Sequence, residues 1–434
     1  MIKISILSII LFIFISNCSF SRSGFWTENE NFEKTNIKKT KLLFEENKVN
    51  TKEFNQDFII KTPLRLSKIK NSNQNNNNGT IYINENLNKV SRYSFAKIKN
   101  FSFFNPELIF ENENLIFFDK KGSIIKFNER SKIVWKINHY SKKEKKLPPV
   151  LNFSSNEKIL IVTDSLSNYY AIDLISGDLK WKKNHNSIFI SDIKIDEDKF
   201  YVVDSNSVMN CFSLITGKKI WNFNTDNDLI KSQKKLSIVF DKNKVYFNNL
   251  KGEIYSLNKN NGNLIWITPT NNDNSIQSFM IKNSKLVLDN TSNNIFFSNN
   301  LNNFFSIDAN NGFINWKQII NSDLTPVISK NLIFSISLEG YFYIVDKSKG
   351  NIIRITDIFK EFSKRKRKKI FPIGFVSNQN YIYLSLNNGK ILEIDISNGK
   401  HVSTLKISRD KISKPFINNG QMFIVNNNSI TKLN

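Results

Sequence analysis

The stretch "SIDANNGFINW" (306–316) returns, reworded, as "AIDLISGDLKW" (171–181), "CFSLITGKKIW" (211–221) and "SLNKNNGNLIW" (256–266). A unit that recurs this often limits the fold more than any bulk property, because repeated copies bury their apolar faces by stacking. In its fullest form an Asp, Asn or Ser closes an alternating strand, glycine follows four residues later and tryptophan eight later. The anchors are Asn128, Asp173, Ser213, Asn258, Asp308, Asp346 and Asp395, and "NNNSITKLN" puts an eighth at Asn434. Their spacing averages about 44 residues, a period of repeat arrays. With four short strands per copy it predicts an all-β fold, an eight-bladed β-propeller of four-stranded antiparallel blades.

Each copy reads alike. An inner strand opens near a proline in "FNPELIF" (104–110), "LPPVLNF" (147–153), "LTPVIS" (324–329), "FPIGFV" (371–376) and "SKPFIN" (413–418). Proline there costs little, because the first residue of a strand needs no ladder donor. Gly177, Gly217, Gly262, Gly312, Gly350 and Gly399 fall where a hairpin requires positive φ. The preceding Asp or Asn can accept from the turn's amides.

Trp135, Trp181, Trp221, Trp266 and Trp316 share one repeat position, which predicts packing between blades rather than chemistry. Each indole would bury roughly 150–250 Å², on the order of 4–6 kcal/mol as an upper bound. The small residues Ala171, Cys211, Ser256 and Ser306 fit beneath an indole, which makes Cys211 a core filler rather than a nucleophile. The last copy stops at its anchor without an outer strand. "NKVSRYSF" (88–95) has the alternation to supply it, so the N-terminal strand is expected to complete the last blade.

The N-terminus addresses the compartment. "MIKISILSIILFIFISNCSF" holds Lys3, an apolar run from Ile4 to Ile15 and then Cys18. The run is too short for a permanent span but suits a secretory signal core. Ile15-Ser16-Asn17-Cys18 resembles the lipobox of bacterial lipoproteins, with Asn17 where Gly, Ala or Ser is usual. Residues 1–17 thus read as a lipoprotein signal, 18–79 as a disordered tether too polar to offset its ordering entropy, and 80–434 as the propeller. Cys211 is the other cysteine, so with Cys18 lipidated no intramolecular disulfide remains. Lys and Arg number 62 against 38 Asp and Glu, a surplus of +24. Such a surplus fits anionic surfaces or acidic partners, or reflects a Lys- and Asn-rich composition. An exported chain does not meet nucleic acid, which is set aside.

The hairpin resembles the PQQ-like, tryptophan-docking repeat. Eight copies behind a signal and a cysteine resemble BamB, the lipoprotein family of the outer-membrane β-barrel assembly (BAM) complex. The resemblance covers about 80–434 and Cys18, while Arg354 and Ser403 replace the tryptophan in the sixth and seventh copies. It implies a non-enzymatic scaffold on the periplasmic face of the outer membrane, lipid-anchored and monomeric within a hetero-oligomeric complex. The implied partner is the set of POTRA domains of the barrel subunit. The implied contact loop after the third tryptophan is "NTDNDLIKSQKK" (224–235), which offers Leu229, Ile230 and Lys231. The lysine stands for an arginine and lacks its planar fork. A second implied contact falls in "TPTNNDNS" (268–275), at Asp273.

The rival readings are a PQQ-dependent quinoprotein dehydrogenase and a generic envelope adaptor. The dehydrogenases that share the repeat are expected to carry an adjacent cysteine pair, calcium-binding carboxylates and a longer chain. His139, His185 and His401 have no neighbour at metal-ligand spacing. No catalytic residue, metal or cofactor is therefore assigned. The basic runs "SKKEKK" (141–146) and "SKRKRKK" (363–369) both join an outer strand to the next inner strand, as 224–235 does. In a propeller such connections share one rim, which is either a solvated charge cluster or an electropositive face.

Overall fold

The computed structural model describes residues 52–55, 75, 87–99, 101–103, 105–147, 149–225, 235–270 and 281–434. Their strands form eight antiparallel sheets, six of them built from four consecutive strands and two, the sixth and eighth, joined by a strand from the N-terminal part. The fourth blade is representative, with Ile238–Phe240, Lys244–Asn248, Ile254–Asn258 and Leu264–Thr268. Its first three strands are buried almost continuously, because neighbouring blades cover both faces of the sheet. Only the outermost strand alternates, exposing Ile265 and Ile267 and burying Trp266.

Apolar clusters fill the seams between successive blades. One joins Tyr246 of the fourth blade to Leu288 and Phe297 of the fifth, and another joins Phe334 of the sixth to Phe375 and Leu384 of the seventh. The largest runs from Tyr93 and Phe423 through Phe117 to Tyr170, so it spans the eighth, first and second blades without a break.

The eighth blade contains both ends of the propeller. Phe416–Asn418, Gln421–Val425 and Ser429–Leu433 are completed by Lys89–Ser94 as outermost strand. Tyr93 lies opposite Ile430 and Ser94 opposite Ser429. Asn88 and Asn434 exchange backbone hydrogen bonds of 2.8 and 2.9 Å. The N-terminal strand closes the ring.

A local device builds each seam. In the second blade Asp173 Oδ1 accepts from the amides of Ile175 and Ser176, and Gly177 turns the chain at φ +83°. The outer strand then slips register between Leu179 and Trp181, a bulge that sets Trp181 opposite Ala171. Trp221, Trp266 and Trp316 lie in the same way opposite Cys211, Ser256 and Ser306.

Each indole then reaches the next blade. Trp266 Nε1 donates to Ala309 O at 3.2 Å while its ring covers Gly312, where a Cβ would lie 2.7 Å from Cδ2. Trp135, Trp181, Trp221 and Trp316 cover Gly177, Gly217, Gly262 and Gly350, and each donates to a carbonyl of the same turn. Glycine at these turns thus answers two demands, a left-handed backbone and a ring pressed onto its α-carbon.

Where tryptophan is absent the seam changes. Arg354 is buried and donates from Nη1 to Ile396 O at 3.2 Å and also to Ser397 O, keeping the bond to the next turn without the ring. Gly399 meets the Thr356 side chain instead. Ser403 turns inward and donates to Glu393 Oε2 at 2.5 Å, within its own blade. At the closing seam Tyr93 OH donates to Glu129 O at 3.2 Å, a second substitute for the indole N–H.

Cys18 and most of 18–79 lie outside the described residues. Within that range Phe54–Asn55 pairs with the outer edge of the sixth blade, Phe54 opposite Ile355 and Asn55 opposite Arg354, making that sheet five-stranded. Asn75 is buried at the propeller's inner strands.

Trp266→Ala is expected to lower the unfolding free energy by about 3–5 kcal/mol by opening a cavity over Gly312. The midpoint of urea unfolding checks this. A change below about 1 kcal/mol would show that the indole does not hold the seam.

Candidate functional site

Antiparallel pairing sends every connection from an outer strand to the next inner strand to the same end of the propeller. The side chains confirm that convergence. Glu107, from the connection entering the first blade, accepts from Lys235 Nζ at 3.1 Å and Lys285 Nζ at 3.0 Å, which enter the fourth and fifth. Lys414, entering the eighth, stands 3.6 Å from its other oxygen. Asp192, entering the third, pairs with the same Lys235 and Lys285 at 3.3 and 3.1 Å. Five connections from around the ring therefore meet in one ionic knot at the axis.

The knot mixes strong pairing with like-charge crowding. Burial alone would raise the Glu107 carboxyl, but Lys235, Lys285 and Lys414 hold it well below the usual carboxylate range. Asp192 is likewise buried, yet the charges of Lys285 and Lys235 hold it near about 2. Burial pulls Lys194 down to about 8, a fall that Asp192 limits and Lys285 deepens. Lys194 Nζ also donates to Asn75 Oδ1, and Asn75 Nδ2 reaches Ser237 Oγ at 3.2 Å and Leu286 O at 3.0 Å. Asn75 thereby links the inner strands of the third, fourth and fifth blades.

Around this axis the basic runs form the rim. Lys364–Arg367 is a single helical turn, and Lys364, Arg365, Lys366, Lys368 and Lys369 are exposed. Arg367 alone of that run turns inward, pairing with Asp357 at 2.7 Å. In the connection entering the second blade Lys142, Lys143, Lys145 and Lys146 are exposed, and Glu144 is held by Ser141 and Lys182. Leu229, Ile230, Lys231 and Asp273 lie outside the described residues. The connection that carries the first three leaves Thr225 and returns at Lys235, in the axial knot.

The other chemistry-bearing residues are dispersed. His185 pairs with Asp204 and His401 with Glu361, on different blades. Cys211 is fully buried and its thiol is pushed up to about 12 by burial, so it holds no thiolate near neutrality. Among the described residues no group of three His, Cys, Asp or Glu side chains could hold a metal ion. The axial knot was missed by the sequence reading. Its signal was present, as a charged residue beside an inner strand in "SDIKID", "SKLVL" and "SKPFIN".

The family model described as outer membrane protein assembly factor BamB matches residues 120–356. No curated protein matches the sequence. Among solved structures, BamB from Moraxella catarrhalis aligns with TM-score 0.66 at 12% identity, covering 80% of this chain and 99% of that one. Quinohemoprotein alcohol dehydrogenase from Comamonas testosteroni aligns at 0.59 and 8%, covering 80% and 76%. Sqt1 from Saccharomyces cerevisiae aligns at 0.61 and 11%, covering 80% and 100%. At these identities the likenesses show the fold, which a scaffold and an enzyme can share.

Two outcomes are expected of the axial knot. Glu107→Gln should cost about 1–3 kcal/mol at neutral pH, because it removes the carboxylate shared by Lys235, Lys285 and Lys414 while Asp192 still pairs with the first two. Lys194 has a folded-state value below its ordinary one, so the unfolded chain holds more protons between the two. Stability should therefore rise with pH from about 8 towards 10, and Lys194→Met should reduce that rise by about 1–2 kcal/mol without abolishing it, because burial pulls Lys414 down to about 8 as well. Urea midpoints at both pH values test the sign, and a fall with pH in the parent relative to Lys194→Met would contradict it.

Proposed function

Because this chain belongs to the family of the outer membrane protein assembly factor BamB, we propose that it is a non-enzymatic scaffold of the outer-membrane β-barrel assembly machinery. Its partner is the set of POTRA domains of the barrel subunit, and its work is binding. Cys18 carries the lipid that holds it to the periplasmic face of the outer membrane, with residues 18–79 as tether. The family match over 120–356 supports this reading, since it runs from the second half of the first blade into the last strand of the sixth and includes the connection that holds the contact residues.

The connection between the third and fourth blades supplies the contact. Leu229 and Ile230 offer apolar surface and Lys231 offers charge. Its roots are rigid, since Thr225 Oγ1 donates to Ser207 O and Lys235 is locked by Glu107 and Asp192. A loop held at both ends loses less entropy when a partner orders it. Asp273, on the next connection along the chain, is the second proposed contact.

The test is co-purification with the barrel subunit from solubilised membranes. Lys231→Glu should reduce recovery severalfold, and Leu229→Ala with Ile230→Ala should reduce it by tenfold or more, at about 1.4 kcal/mol per tenfold. The thermal transition should be unchanged. Full recovery with all three residues replaced would remove the surface from the assignment.

A further inference from the structure

The Lys-rich connections are not spread evenly around the rim. The two densest runs, 141–146 and 363–369, fall on the arc from the sixth blade through the eighth to the second, while the connection rooted at Thr225 and Lys235, with three lysines against two aspartates, lies across the ring. In a ring of eight blades, the connection between the third and fourth stands opposite that between the seventh and eighth. The basic arc is therefore a separate surface from the proposed partner contact.

Three observations characterise it. The first is uncompensated charge. Residues 360–369 hold seven Lys or Arg and one Glu. Among the described residues Lys364, Arg365, Lys366, Lys368 and Lys369 make no ion pair. The opposite face, built from the hairpins at Asp173, Asp308, Asp346 and Asp395, is mixed in sign.

The second is an exposed apolar residue within each of three connections of this arc. Phe103 is 86% exposed, Leu147 55% and Phe371 52%. Leu147 follows Lys145 and Lys146, and Phe371 comes two residues after Lys369. These tips belong to different connections rather than to one patch. A protein interface concentrates its anchors in a desolvated centre. A planar interface can take separate tips, two of which, Leu147 and Phe371, stand beside cations here.

The third is the course of the chain's N-terminal part. Phe54–Asn55 pairs with the outer strand of the sixth blade, and Glu53 Oε2 accepts from Lys360 Nζ at 3.2 Å. Lys360 opens the basic run. Glu53, Phe54 and Asn55 are thus fixed beside the densest part of the arc.

We propose that this arc is a docking surface for an anionic lipid bilayer, with the lysines and arginines against acidic headgroups and Phe103, Leu147 and Phe371 entering the interface. The ligand class is the acidic phospholipid headgroup in a membrane plane. The inference does not depend on lipidation of Cys18 or on the partner contact at Lys231. It orients the ring with its basic arc to the membrane and the opposite rim free for a protein.

Flotation of the full chain with vesicles tests it. Vesicles of phosphatidylcholine alone are compared with vesicles one third phosphatidylglycerol, at low and high salt. Binding should appear on the anionic vesicles and fade with salt. Each basic residue near such a surface is worth about a fivefold change in partition, so Lys364→Glu with Lys366→Glu and Lys368→Glu should lower it by about a hundredfold or more. Phe371→Ser should lower it severalfold, and Lys231→Glu should leave it unchanged. Far-ultraviolet dichroism and melting confirm that the variants fold.

Equal flotation on both vesicle types would overturn the proposal, since the apolar N-terminus alone binds without regard to headgroup. So would a triple reversal that floats like the parent. Retention on immobilised polyglutamate as tight as on the anionic vesicles, and indifferent to Phe371→Ser, would assign the arc to an acidic protein instead.

Discussion

An indole laid on a glycine is the contact on which this structure depends. It joins blades that share no backbone ladder, and it does so at the rim, where a radial sheet has least lateral support. The ring contributes apolar area and the N–H contributes direction. Trp266 buries its face on Gly312 and donates to Ala309 O, so the next blade is fixed in distance and in height together. Dispersion alone would allow sliding along the seam, and a hydrogen bond alone would leave a gap. Both sides of the contact must hold: any side chain at Gly312 would collide with the ring, and any smaller residue at Trp266 would leave a void.

The departures show which half of that contact is harder to replace. Arg354 keeps the directional bond, and Thr356 fills the space against Gly399 that an indole would take. Tyr93, one turn of the pleat away from the usual position, keeps the bond to Glu129 O across the closing seam. Between the seventh and eighth blades Ser403 bonds within its own sheet, and Tyr383, Ile391, Met422 and Leu433 supply the adhesion. A ring tolerates this because each blade is held on two sides. The seam that lacks the bond to the next turn borders the blade closed by Lys89–Ser94, where both ends of the ring share one sheet.

Closure also shapes the surface. Inner strands that all run the same way deliver their entering connections to one end of the axis. Charges that are far apart in sequence then share a small volume: Glu107 meets Lys235, Lys285 and Lys414 only because the ring is complete. Two carboxylates bind several lysines there, which ties the roots of five connections to one another and leaves their tips to vary. The same face thus has a rigid hub and a variable rim, a division suited to presenting loops.

Much of the architecture was legible in the chain. The return of Asp or Asn, Gly and Trp at fixed offsets announced the blade, its hairpin and the number of copies, because turn chemistry and periodic burial are local and leave a mark in every repeat. The truncated last copy and the alternation of 88–95 likewise announced closure. The axial knot was not legible in that way: Glu107, Asp192 and Lys285 are each a lone charged residue beside an apolar strand, and their pairing spans up to 307 positions between Glu107 and Lys414. Nor could the sequence say that five of these glycines are pressed by the tryptophan of the preceding copy, or that Phe54 and Asn75 lie against the propeller. Sequence by itself determined the repeat, because each unit satisfies its own backbone. Only the tertiary structure decided which units touch at the axis and which charges remain uncovered at the rim, because those depend on distances that exist once the ring has closed.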